Sequence, residues 1–206
     1  MMLLALDTTA ATATAALFRD ETLVAEREAD ADKKHAETVL PLIDTLLEEN
    51  DVTIAQIDRF AVDIGPGSFT GVRIGVSLVN ALAFALGKPI VSVDSLLTLA
   101  LSAGETQKPV CAMIDARNGN AYAALYHSGR TIIEPCAVEI ESFCAKLPED
   151  TILIGDVRTE LKTFPRAALV GLAAIRQGAQ TGAEAEPLYL RPSQAERTKK
   201  QSAKEA

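Results

Sequence analysis

Tryptophan is absent from the 206 residues, histidine occurs twice and cysteine three times. Cys111, Cys136 and Cys144 make no complete set of pairs and no CxxC, which excludes a disulfide scaffold and points to a reducing, cytoplasmic setting. Cys111 and Cys144 lie in apolar contexts and are expected to be buried, inert thiols. His35 and His127 are far apart, so neither HxxxH nor HExxH occurs, and no metal ion or other cofactor is expected. Both read as surface or capping side chains. There is no Gly-Lys-Ser/Thr phosphate loop and no GxSxG nucleophile elbow, since Pro66 and Thr70 stand where an elbow around Ser68 needs glycines. Long apolar runs are missing too. The longest stretch free of charge, between Arg73 and Lys88, holds 14 residues, too few to span a bilayer. No basic flank precedes the first apolar segment, and Asp7 interrupts it, so a secretory signal is not expected.

Positive charge is scarce and unevenly placed. Twenty basic side chains face 28 acidic ones, for a net charge of -8. Residues 191–206 carry five of the basic residues and two of the acidic ones, so the rest of the chain is more acidic still. Such a body repels phosphate backbones and is not suited to bind nucleic acid by itself. With 48% hydrophobic and 23% charged residues, the composition is that of a folded globular chain.

What is present is an alternation of short apolar runs and amphipathic stretches. Leu3–Leu6, Ala13–Phe18 and Leu23–Glu26 read as strands, with a turn at Arg19-Asp20. A helix is predicted over His35–Asn50, with apolar residues covering about 160° of its wheel. Pro41 falls inside it and should bend it. Phe60–Ile64 is a strand, Gly65-Pro66-Gly67 a turn, and Ser68 the N-cap of a helix that stops at Gly87. Ile90–Val93 and a helix over Ser95–Ala103 follow. Strands are then expected at Val110–Ile114, Ala121–His127, Thr131–Glu134 and Ile152–Ile154. Short helices are placed near Glu139–Lys146 and from Val157 onward, before the segment Pro187-Leu188-Tyr189-Leu190-Arg191 and a charged tail.

Leu3–Glu26 can be laid over Cys111–Glu134 without a gap. Asp7 then meets Asp115, and Ala13, Ala15, Ala16 and Leu17 meet Ala121, Ala123, Ala124 and Leu125. Ile64-Gly65 returns as Ile154-Gly155. The order of elements repeats with the sequence, so the chain divides into a first half, 1–106, a shorter second half, 107–191, and a tail, 192–206. Two β-β-β-α-β-α halves, each with an Asp after its first strand, describe an α/β fold of the duplicated actin-like (ASKHA) class, built of two ribonuclease-H-like halves with the second truncated.

In that class nucleotide phosphates lie between the Asp turns. Asp7, Thr8 and Thr9 of the first turn, Gly65 and Gly67 of the glycine turn, and Asp115 of the second are the residual nucleotide-site candidates. An actin-like ATPase or small-molecule kinase using Asp7 and Asp115 with Mg-ATP is the rival reading of function. Against it, the first turn has no glycine, and Arg117 sets a bulky cation in the second where the backbone must approach phosphates closely.

The helix after Ser68 is apolar over about 220° of its wheel, against roughly 100° needed to face one core. A helix so covered needs a second partner, and Gly71 and Gly75, one turn apart, would let another helix come close. The His35–Asn50 helix is its natural neighbour. An interface is therefore expected on Val39, Leu40, Ile43, Leu46 and Leu47 of the first helix, and on Gly71, Arg73, Gly75, Leu78 and Leu82 of the second. A bulky charge at Gly75 should break that interface and spare the fold.

Leu4-Ala5-Leu6-Asp7-Thr8-Thr9, His35-Ala36-Glu37 with Leu40-Pro41, the GPGSFTG-x-RIG stretch from Gly65 to Gly75, Asp115-Ala116-Arg117 and Pro187–Arg191 together closely resemble the bacterial TsaB (YeaZ) family. That family is a degenerate relative of the TsaD/Kae1 enzymes, which transfer threonylcarbamoyl to a tRNA adenosine (t6A), and was once grouped with the M22 glycoproteases. The resemblance implies a non-catalytic scaffold with no catalytic residues of its own. It implies pairing with a TsaD-like subunit through a helical bundle, recruitment of a TsaE-like ATPase, a homodimer when alone, and contact with tRNA only through the complex. TsaD-like enzymes hold a metal with an HxxxH pair, which this chain lacks.

Overall fold

The structure is a computed structural model and describes residues 1–30, 34–159, 163–164, 166–176 and 182–191. The predicted tail, 192–206, lies outside the described residues. β1 (Met2–Asp7), β2 (Thr14–Arg19) and β3 (Thr22–Glu28) form an antiparallel meander, joined on its β1 side by the parallel strands β4 (Arg59–Asp63) and β5 (Ile90–Val93), in the order β3-β2-β1-β4-β5. The second sheet repeats the pattern with β6 (Val110–Asp115), β7 (Asn120–His127), β8 (Arg130–Glu139) and β9 (Ile152–Gly155), in the order β8-β7-β6-β9. Among the described residues it has no counterpart of β5. This is the duplicated actin-like architecture with a shortened second half.

Helices fill the remaining layers. α1 (His35–Glu48) and α2 (Phe69–Leu86) cover the outer face of the first sheet, where Leu4, Leu6, Leu17, Phe60 and Val62 are buried. α3 (Ser95–Leu101) lies on the second sheet, against Val110, Ala112 and Ala124. α4 (Ile140–Cys144) covers that sheet's far face, and α5 (Ala167–Arg176) lies back on the first sheet, against Leu3, Ala5 and Phe18. α3 and α5 touch, so the order of layers is α1/α2, sheet, α5/α3, sheet, α4.

Local chemistry explains the helix ends. Ser68 Oγ accepts from Gly71 N at 3.2 Å, and α2 stops where Gly87 turns left-handed at φ 64°. α1 runs unbroken through Pro41, which sits on its exposed side where water can take the freed carbonyl. α2 is long and apolar enough to cross a membrane, with mean hydropathy 1.6, but its inner face is seated on β1 and β4. Cys111 is buried, and burial pushes its thiol up to about 12, whereas Cys144 is only half-buried.

Three expectations need correction. No helix starts at Val157. Asp156 turns back to accept from Asp115 N at 2.8 Å, Arg158 is left-handed at φ 52°, and the helical stripe begins at Ala167. β8 runs on to Glu139 through Pro135, which an edge strand tolerates. The repeat also slips by one residue in the first strand. Leu17 and Leu125 both face outer cores, as aligned, but the outward residues beside them are Leu4 and Cys111, not Leu3 and Cys111. Cross-strand partners then equate Phe60 with Leu153, so Asp63 corresponds to Asp156, and Ile64-Gly65 does not correspond to Ile154-Gly155. Asp7 is sealed and Asp115 exposed because they are not equivalent positions.

Candidate functional site: a cleft and a helical face

The parallel strands of both sheets end toward a cleft of about 950 Å³. Of the six nucleotide-site candidates, Thr9, Gly67 and Asp115 line it, while Asp7, Thr8 and Gly65 lie outside its lining. Asp7 Oδ1 accepts from Thr9 N at 2.8 Å and Thr9 Oγ1 at 2.7 Å. Thr8 donates its hydroxyl to the Gly71 carbonyl at 2.7 Å. Gly65 N donates to Asp63 Oδ1 at 2.8 Å, and Ser68 N to the Thr9 carbonyl at 2.8 Å. The glycine turn is thus folded onto the first Asp turn, and its amides at Gly65, Ser68 and Gly71 are already taken. A Cβ on Gly67 would meet the Thr9 carbonyl at 2.7 Å, so the glycines serve close packing between these turns. His35 holds the first turn from α1, with Nε2 3.0 Å from the Ala10 carbonyl.

Across the cleft, Asp115 Oδ1 accepts from Arg117 N at 2.8 Å, and Arg117, Asn118 and Gly119 are all left-handed. Lys34, Arg117, Arg191, Asp115 and Asp156 all line the cleft. Burial pushes the Asp7 carboxyl above the ordinary carboxylate range.

The helical candidates divide sharply. Val39, Ile43, Leu46 and Leu47 are buried in the first core, and Gly71 and Gly75 are buried against Thr8. These six form no outer surface, because the broad apolar arc is used twice over within one chain. Leu40 is 48% exposed, Arg73 is exposed, and Leu78 and Leu82 are half-buried. The outward strip that remains is Leu40 on α1 with Ile74, Leu78, Ala81, Leu82 and Ala85 on α2. Ala81 and Ala85, one turn apart on the exposed side of α2, are small residues that leave room for a facing helix. Arg73 is engaged already. Its Nε donates to the Tyr189 hydroxyl at 2.8 Å, and its guanidinium lies 4.0 Å over the Phe69 ring. Phe69 and Tyr189 stack at 5.2 Å, so the RIG and PLYLR stretches of the sequence meet.

These turns, the sealed Asp7 and the two-sided α2 have relatives. Residues 27–191 match the family described as TsaD, tRNA N6-adenosine threonylcarbamoyltransferase. The tRNA threonylcarbamoyladenosine biosynthesis protein TsaB of Bacillus subtilis is 33% identical over 82% of this chain and 69% of its own length. The chain belongs to the TsaB family. TsaB of Escherichia coli is 37% identical over 61% of this chain, and the match spans about half of the relative, 55% of its length. Among solved structures, YeaZ from Pseudomonas aeruginosa superposes with a TM-score of 0.76 at 28% identity, over 92% of this chain and 99% of that one. TsaB membership confirms the resemblance drawn from the Gly65–Gly75 stretch and its companions.

Proposed function

We propose that this chain is a non-catalytic partner subunit in the formation of threonylcarbamoyladenosine in tRNA. It pairs with a TsaD-like subunit through the outward faces of α1 and α2, helps recruit a TsaE-like ATPase, and pairs with itself when alone. It works in the cytoplasm and meets tRNA only through the assembled complex. The names of its relatives support the pathway. The outward strip of α2 supports the pairing: Ile74, Leu78 and Leu82 stand beside Ala81 and Ala85, a greasy ridge with small residues that let a facing helix close in. The first half, 1–106, carries both helices of this surface.

Size-exclusion of the full chain with its TsaD-like partner tests the reading. Leu40→Glu and Ala81→Glu alter exposed side chains, so both variants should keep the parent's circular dichroism and unfolding midpoint. Each should lose co-elution with the partner. Co-elution unchanged in both variants removes the proposed surface.

A further inference from the structure

Under the cleft floor lies a pair of carboxyl groups with no part in the surface just proposed. β1 and β4 are parallel neighbours with Leu6 facing Val62, so Asp7 and Asp63 stand side by side at the strand ends. Both are completely buried. Each commits Oδ1 to its own turn. Asp7 Oδ1 accepts from Thr9, and Asp63 Oδ1 accepts from Gly65 N at 2.8 Å and Ser95 Oγ at 2.6 Å. Each keeps an Oδ2 that is buried and has no hydrogen-bond partner among the described residues. Two charged carboxylates side by side at full burial would repel each other and forfeit their hydration, which favours one proton between them.

The surroundings are lopsided. His35 from α1 and Arg166 ahead of α5 favour the charged form of Asp7, together with its two bonds from Thr9. Asp63 is pushed well up by burial, then by the charge of Asp7, and also by Asp94 ahead of α3. α2 sets Gly71 and Gly75 against this turn, and its Arg73 points away to Tyr189. We propose that Asp7 and Asp63 share one proton, carried by Asp63 and donated from its Oδ2 to Asp7 Oδ2, which fastens the Asp7 turn to the Gly65 turn beneath the cleft. A cation is the competing occupant. Neither carboxyl belongs to the lining of the cleft, and no group of three metal-ligating side chains exists among the described residues.

An acid held protonated by the fold stabilises it fully below the ordinary carboxylate range, and that stabilisation is lost as the pH rises through the raised value. The full chain should therefore unfold at progressively lower urea as the pH is raised above the ordinary carboxylate range, losing up to about tenfold in its folded-to-unfolded ratio per pH unit. Asp63→Asn keeps an oxygen for Gly65 and Ser95 and offers an amide hydrogen in place of the shared proton, so its curve should be flatter and lie above the parent's at the alkaline end. Isotope-edited infrared spectra at neutral pH should show a protonated carboxyl in the parent and lose it in Asp63→Asn. The double variant Asp7→Asn/Asp63→Asn opposes two amide donors and should be less stable than either single. Equal pH slopes in parent and Asp63→Asn, no protonated carboxyl, or a stabilisation by magnesium or manganese that Asp63→Asn loses would each overturn the proposal.

Discussion

Thr8 is buried between β1 and α2, and its hydroxyl is bonded to the Gly71 carbonyl. A Cβ on Gly75 would overlap the Thr8 hydroxyl, and one on Gly71 would overlap the Thr8 backbone carbonyl. The two glycines therefore fail differently. Gly75→Ala should cost about 1–3 kcal/mol by overpacking. Thr8→Ala removes the hydroxyl and methyl that stand in the way, so in that background Gly75→Ala should cost much less. Gly71→Ala meets fixed backbone, and Thr8→Ala should not rescue it. Urea denaturation of the three single and two double variants measures the coupling directly; strict additivity for the Gly75 pair would mean that the helix moves aside instead. A bulky charge at Gly75 is thus a folding lesion and not the docking probe that the sequence suggested.

At the scale of elements, α1 offers a clean measurement. Pro41 sits in its interior without a backbone donor, on the exposed side. Pro41→Ala should restore one helical bond and raise stability by about 1–3 kcal/mol, seen as a higher urea midpoint; a lower midpoint would mean that the ring fills a contact the alanine leaves empty. Elements such as α1 and α2 were legible because amphipathic period and capping residues agree: Ser68, Gly87 and the stripe through Val39, Ile43 and Leu46 all reappear in place. The register of the central strands was not. Leu3 through Leu6 and Cys111 through Met113 are buried on both sides, so no polar alternation tells one face from the other, and a one-residue slip leaves the pattern looking intact. The same ambiguity applies to the helices. An apolar arc on a wheel reports burial, and α2 is seated on its own sheet along the arc that includes Gly71, Val72, Gly75, Val76 and Val79. The strip left outward lies instead on its flank, where Ala81 and Ala85 give a weak hydropathy signal. The Asp63 carboxyl was invisible as a site because its partner, Asp7, comes from a strand far away in the chain.

Across the whole molecule, topology and packing divide the chain differently. The β-strands fall into two sheets, one per half, yet α3 from the first half covers the second sheet and α5 from the second half covers the first. The segment 182–191 crosses back as well. Gly182 bridges Ile90, Asn80 holds Ala185 by both its N–H and its carbonyl, and Leu188 N donates to the Ile64 carbonyl at 2.8 Å. A fragment ending at residue 106 would keep a five-stranded sheet but bare Leu3, Phe18, Val91 and Val93 on one face, and Leu96 and Leu99 on α3. Each large side chain so exposed forfeits about 1.5–3 kcal/mol, and the six together are comparable to the roughly 5–15 kcal/mol by which ordinary domains are stable. Residues 1–106 expressed alone should therefore give no cooperative unfolding transition, while co-expression with 107–206 should return a complex with the parent's circular dichroism. A cooperative transition for 1–106 alone would mean that α1, α2 and the first sheet suffice, and that the exchange of helices ties together two halves already able to stand.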